Sequence, residues 1–148
     1  MKSGVDKQNI GNAGEHYICA FLSAKNFVVT ITTGRNIGYD LLAVNPNTKT
    51  FFVLDSKNYF LKLSPGDIKN EINHFITKKK SDLIKLEKKE NFVRNNTDFF
   101  LDYFKISDQQ GWNFKKGFII KYNFPSAYVK NIEADFIFQS DLERYLKV

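Results

Sequence analysis

The sequence predicts an α/β fold in which a mixed β-sheet is flanked by helices. Three observations carry this. Short runs rich in β-branched and apolar residues alternate with stretches of helical periodicity. Two of these runs, ending in Val44 and starting at Thr50, flank the turn-like Pro46-Asn47-Thr48-Lys49 and read as a hairpin. Both faces of that hairpin are apolar, as in central strands covered on both sides. The resulting order is αβββαβ, followed by one more strand and helix. The 148 residues form one domain, 1–148, with no repeat, low-complexity tract or linker.

Each element has a local reason. From Gln8 to Lys25, the positions Ala13, Tyr17, Ala20, Phe21 and Ala24 recur at helical spacing. Asn12 reads as the N-cap, Glu15 three residues on completes a capping box, and Asn26 ends the helix. Phe27 to Thr32 is rich in β-branched residues and makes the first strand; Thr33 to Gly38 is a loop. In the hairpin Asn45 pairs with Thr50, Val44 with Phe51, Ala43 with Phe52, Leu42 with Val53 and Leu41 with Leu54. Ser64-Pro65-Gly66-Asp67 starts a helix with Pro65 near its first position. Ile68, Ile72, Phe75, Ile76, Leu83 and Leu86 then mark one stripe of a single long helix running to about Asn91. Asp98 to Phe104 is a short aromatic helix, and Asp108 to Gly111 a loop. Gly117 to Asn123 and Ala134 to Phe138 are late strands, and the capping box Ser140-Asp141-Leu142-Glu143 opens a terminal helix.

The hairpin register has a chemical consequence. It sets Asp40 opposite Asp55, on one face, with Cβ atoms about 4.5–5.5 Å apart. Lys57, two residues past Asp55, shares that face. Two carboxylates so placed repel unless something cationic sits between them. A divalent metal resolves the conflict, and a metal held by two carboxylates beside a lysine suits phosphodiester hydrolysis. The competing reading is two water-exposed strand-end acids, one paired with Lys57.

Charge and composition bound the rest. The net charge is +6, and from Lys57 to Arg94 ten basic residues stand against five acidic ones, a net of +5. A basic segment leading away from a metal site suits a polyanionic substrate, and Lys62, Lys78, Lys79 and Lys80 are its candidate contacts. A solvated lysine-rich helix face gives the same pattern. Hydrophobic content of 43% and aromatic content of 16% argue against disorder. No apolar run approaches the length of a membrane span, and Met1-Lys2-Ser3-Gly4 opens no signal peptide. Cys19 is alone, so the expected compartment is reducing, and a cytoplasmic location follows. No GxGxxG, P-loop or nucleophile elbow is present. His16, Cys19 and His74 lack zinc-ligand spacing and read as surface histidines and a buried thiol. Trp112, beside Lys115 and Lys116, is a weaker candidate for stacking on a base.

Glu15 on the first helix, then Asp40, then Asp55-Ser56-Lys57, in the order helix, strand, hairpin, helix, strand, resembles the PD-(D/E)XK nuclease superfamily, the restriction-endonuclease-like fold that includes Holliday-junction resolvases. The resemblance covers about Gly11 to Asn123. It implies that Asp40 is the metal-binding aspartate, Asp55 the second carboxylate, Lys57 the lysine and Glu15 the accessory helical acid. It implies one or two Mg²⁺ ions, with Mn²⁺ substituting, and hydrolysis of nucleic-acid phosphodiesters by an endonuclease, DNA being the expected substrate. The Ser56 carbonyl is a further candidate ligand. Nucleases of this fold commonly pair to cut both strands, so a homodimer is compatible. Tyr39 stands where the family name has proline, and the second acid is Asp rather than the more frequent Glu. Tyr39 and Asn58 flank the motif and read as packing residues. Glu71 reads as structural, favoured by the helix dipole. The alternative function is a catalytically inactive nucleic-acid-binding or protein-interaction module of the same fold.

Overall fold

The hairpin forms in the expected register. Strands β2 (Leu41–Asn45) and β3 (Thr50–Lys57) pair antiparallel from Leu41 opposite Leu54 to Asn45 opposite Thr50. Its turn is closed by Asn45, whose Oδ1 accepts from the N–H groups of Asn47 (3.0 Å) and Thr48 (3.3 Å). The buried Nδ2 of Asn45 donates to the Leu146 carbonyl at 2.8 Å, which ties the turn to the end of the chain. Lys49 takes a left-handed conformation, φ 47°, to complete the reversal. The structure, a computed structural model, describes residues 4–31, 40–57 and 64–147, with side chains from Ala13 onward in the first segment.

Five strands make one mixed sheet in sequence order. β1 (Val28–Ile31) pairs antiparallel with β2, while β4 (Asn113–Ile120) runs parallel to β3 and β5 (Asp135–Phe138) parallel to β4. α1 (Gly4–Ala24) precedes the sheet. Between β3 and β4 lie α2 (Pro65–Ile72), a π-helical turn (Asn73–Thr77), α3 (Asp82–Asn95) and α4 (Thr97–Tyr103). Short 3₁₀ turns at Pro125–Tyr128 and Gln139–Asp141 precede β5 and α5 (Leu142–Leu146), respectively.

The two sheet faces carry two cores. Leu42, Val44, Phe51 and Val53 pack with Phe75, Leu86, Val93 and Leu101 of the helical crossover. Leu41, Ala43, Phe52 and Leu54 pack with Ile18 and Leu22 of α1 and Leu142 and Leu146 of α5. Strand alternation sorts the hairpin residues to one side or the other, which is why both of its faces read as apolar.

Four expectations are corrected. α1 runs through Asn12 without a break, so Asn12 and Glu15 form no capping box. The helix ends instead in a Schellman turn. Asn26 is left-handed at φ 62°, with Phe27 N–H donating to Leu22 O and Asn26 N–H to Ser23 O, both at 3.0 Å. The long helix expected from Ser64 to Asn91 is two helices. α2 widens into the π turn, the chain breaks at Lys78-Lys79-Lys80, and Ser81 recaps α3 by accepting from the Ile84 N–H at 3.4 Å. β4 starts at Asn113 rather than Gly117 because its lysines are paired. The Lys116 ammonium donates to Glu90 at 2.8 Å, and Lys115 lies 5.8 Å over the Phe52 ring. The terminal helix forms without a side-chain cap from Ser140 or Asp141.

β4 and β5 approach closely at Gly117. A Cβ there would lie 2.8 Å from the Asp135 carbonyl oxygen and 2.7 Å from Ile137 Cδ1. Gly117→Ala should therefore lower the urea midpoint by about 2 kcal/mol equivalent, since backbone must shift to admit the methyl group. An unchanged midpoint would show that β5 yields freely.

Candidate functional site

The charged end of the hairpin lies at the carboxyl ends of the parallel strands, where open α/β sheets place their ligand clefts. Continuing the β2–β3 register one residue beyond Leu41 sets Asp40 beside Asp55. Asp55 follows Val53 by two, so it projects toward α3, and Lys57 does the same. α1 lies against the opposite face through Ile18 and Leu22, and Gly14 passes Ser56 there. Glu15 nevertheless joins the pair. One carboxylate oxygen each from Glu15, Asp40 and Asp55 lie within 4.8 Å of one another. Asp55 is only 4% exposed.

Among the described residues, two ammonium groups offset part of this charge. Lys57 Nζ lies 3.0 Å from Asp55 Oδ2. Lys89 of α3 donates to Asp40 in a short bond and to Asp55 Oδ2 at 3.4 Å, so it bridges the two aspartates. Lys57 is also held from behind by Asp82, whose Oδ2 is 3.3 Å away. Asp82, 2% exposed at the first turn of α3, further meets His74 Nε2 at 3.2 Å and Lys85 Nζ at 3.1 Å.

The protonation equilibria report the remaining imbalance. Burial, then the charges of Asp40 and Asp55, push the Glu15 carboxyl up to about 7. Burial and Asp55 raise Asp40 as well, with Lys89 pulling the other way. Burial disfavours the charged forms of Lys57 and Lys89, but the carboxylates around them more than offset it and hold both above the ordinary lysine value. Asp82 is likewise disfavoured by burial, yet Lys57, Lys85 and His74 hold it below the usual range.

Glu15, Asp40, Asp55 and Lys57, singled out in the sequence, thus converge, with Ser56 between the last two facing Gly14. Three oxygen ligands at this spacing can hold a hard divalent cation. Lys78, Lys79 and Lys80 are exposed in the turn that leads into Ser81 and Asp82. Lys62, Tyr39 and Asn58 lie outside the described residues. Glu71 is buried and accepts from the Ser126 N–H at 3.2 Å, a structural role. Trp112 packs 5.0 Å from Phe51 and donates to the Asp108 carbonyl at 2.8 Å. His16 is exposed and Cys19 partly exposed.

Lys89 and Asp82 were not singled out by the sequence reading. A signal for Lys89 existed. It falls three residues after Leu86 and four before Val93, both fully buried, so it is a lysine on an apolar stripe. Asp82 was hidden by running one helix through Ser81. Ser81-Asp82 is an N-cap followed by a first-turn acid.

No family model, curated protein or solved structure matches the chain. Among the described residues, no helix is long and apolar enough to cross a membrane.

A carboxyl whose folded pKa lies above its unfolded value costs stability once the unfolded form ionises. For Glu15 the cost is absent below about 4.5 and grows as the pH rises toward about 7. Glu15→Gln should then stabilise the metal-free protein by about 1 kcal/mol at pH 8, after discounting for partial exposure, and by nothing near pH 4. Thermal melts in chelator at the two pH values check this; equal gains at both would contradict it.

Proposed function

We propose that the chain is a metal-dependent nuclease that hydrolyses phosphodiester bonds of nucleic acid, with DNA the expected substrate, and that its topology is restriction-endonuclease-like. One observation carries this reading: three carboxylates from α1, the start of β2 and β3 lie within 4.8 Å, with the Lys57 ammonium 3.0 Å from Asp55. The order of elements, a helix, an antiparallel meander, a helical crossover and a parallel fourth strand, supports the topology.

On this reading Asp40, Asp55 and Glu15 hold Mg²⁺ or Mn²⁺ through hard oxygens, with the Ser56 carbonyl as a further ligand. The donor set fits, since it offers carboxylate oxygens only and carries an excess of negative charge. The ion would polarise the scissile phosphate and lower the pKa of a bound water. Lys57, fixed between Asp55 and Asp82, is positioned to stabilise the charge that develops on the phosphate oxygens. Exposed Lys78, Lys79 and Lys80 would meet the flanking phosphodiester backbone, adding affinity without sequence readout.

A specific observation also favours a second reading, the non-catalytic binding module. Lys89 already bridges Asp40 and Asp55, so the repulsion between them is relieved without a metal. The two readings differ in what happens when Lys89 is removed. Lys89→Met should destabilise the chelated protein by about 2 kcal/mol, by taking the ammonium partner from Asp40 and one of two from Asp55. For a metal site, Mn²⁺ should restore the lost stability, and calorimetry should find Mn²⁺ bound about tenfold more tightly than by the unsubstituted chain, since a competing cation is gone. For a binding module, Mn²⁺ restores nothing.

Asp55→Asn should reduce Mg²⁺-dependent cleavage of labelled DNA by about a thousandfold while leaving nucleic-acid binding intact or stronger. An unsubstituted chain that takes up no divalent cation and leaves DNA and RNA whole would remove the nuclease reading.

A further inference from the structure

A groove runs along the α1 side of the sheet, beside the end of β3 that carries Asp55 and Lys57. Its inner part is a cavity of about 500 Å³ bounded by Gly14 and Tyr17 of α1, Ser56 and Lys57 of β3, Lys121 after β4, and Gln139. A second cavity of about 410 Å³ shares Tyr17, Lys121 and Gln139 and adds Phe21 and Phe138. The shared residues set the two side by side. Both volumes lie in the range of small-ligand pockets, about 300–1,000 Å³.

The chemistry along this path is distinctive. Tyr17 is 60% exposed although aromatic, and it stands at the junction of the two cavities. Phe21 and Phe138 are half-buried further along. Lys121 is exposed beside Tyr17, and Lys25 lies 6.0 Å over the Phe21 ring at the outer end. The inner end is lined by Gly14, Ser56 and Lys57, and the first two are the chain neighbours of Glu15 and Asp55. Aromatic platforms interleaved with cations are how proteins hold single strands, because each base offers a face for stacking and each phosphate a charge. In a duplex those base faces are covered by neighbouring bases.

We propose that this groove binds one unpaired nucleic-acid strand, with a base on Tyr17 and the adjoining phosphate on Lys121, and that the strand leads its scissile phosphate to the acid cluster. The proposal rests on the nuclease reading for the fate of that phosphate, but the binding itself does not. It names the substrate class: single-stranded nucleic acid, or the unpaired segment of a branched or gapped molecule. Gln139, at the same junction, offers an amide to a base edge. The exposed lysines 78–80 are placed on the crossover that covers the other face of the sheet, so a paired arm could engage there while the unpaired strand follows the groove.

The test is fluorescence anisotropy of a labelled oligothymidylate, the matching oligouridylate and a blunt hairpin duplex. It is run in chelator on the unsubstituted chain and again on Asp55→Asn, so that no strand is cut. The single strands, DNA or RNA, should bind more tightly than the duplex. Tyr17→Ala should weaken single-strand binding about tenfold and duplex binding less than about twofold, while Tyr17→Phe keeps single-strand binding within about twofold. Lys121→Ala should weaken the single strands and flatten their salt dependence. Tyr17 is exposed, so folding of its variants is checked by an unchanged thermal melt. A duplex bound as tightly as the single strands, or a Tyr17→Ala chain that binds single strands normally, overturns the groove. Single-strand binding lost in Tyr17→Ala without any divalent-dependent cutting overturns cleavage and keeps the groove. Divalent-dependent cutting of single strands untouched by Tyr17→Ala overturns the groove and keeps cleavage.

Discussion

Three carboxylates within 4.8 Å at a half-buried strand end are compatible with a folded chain because two ammonium groups are held among them. Like charges about 5 Å apart near a protein surface repel by about 3 kcal/mol per pair. Three such pairs would remove much of the stability of a typical domain, about 5–15 kcal/mol. Lys57 and Lys89 change the sign of that sum, and the raised carboxyl of Glu15 marks where their compensation runs short. The arrangement of the surrounding elements follows from this need for cations at one end of the sheet.

The charges come from parts of the chain far apart in sequence. Glu15 arrives on a helix packed against one sheet face, Asp40 and Asp55 on adjacent strands, and Lys89 and Asp82 on a helix covering the other face. Among the described residues, Lys57 is the partner of these acids that lies close in sequence. The cluster therefore exists only when both cores are formed, and the Asn45 turn, tied to the Leu146 carbonyl, couples the hairpin to the last helix. Lys57 is braced on two sides, by Asp55 and by an Asp82 that is itself fixed by a helix start and by contacts with Lys85 and His74. Such bracing limits how far the ammonium can wander, which matters for any group expected to meet developing charge.

The hairpin was legible to the residue because strand period, two apolar faces and a turn closed by Asn45 all specify one register. The convergence of Asp40, Asp55 and Lys57 followed from it. Other parts were hidden for physical reasons. The capping-box pattern at Asn12 and Glu15 is a local signal, and it loses to continuous helix when the face carrying Ile18 and Leu22 packs on the sheet. The break at Lys78 to Ser81 is invisible to periodicity, because the wide turn at Asn73–Thr77 resets the phase between α2 and α3. Lys89 was counted as one of ten cations in a basic segment, whereas its place between Leu86 and Val93 puts it on the buried stripe of α3. Net charge says how many cations a segment carries; only the helix phase says which of them turns inward.

That inward lysine bears on how the site would respond to a metal. The Lys89 ammonium brings a single charge and bridges Asp40 and Asp55, while the Glu15 carboxyl beside them stays raised to about 7. A divalent ion brings twice the charge to the same oxygens and favours the ionised form of all three carboxyls, so its uptake releases a proton from Glu15 at pH values below about 7. It would also compete with the Lys89 ammonium for Asp40 and Asp55. On the nuclease reading, an ammonium freed there would stand near the incoming phosphodiester. The residue that offsets Asp40 and Asp55 would thus be suited, on the nuclease reading, to meet the substrate. On the binding-module reading the same residue stays closed on the acids, and the two roles of Lys89 divide the two functions.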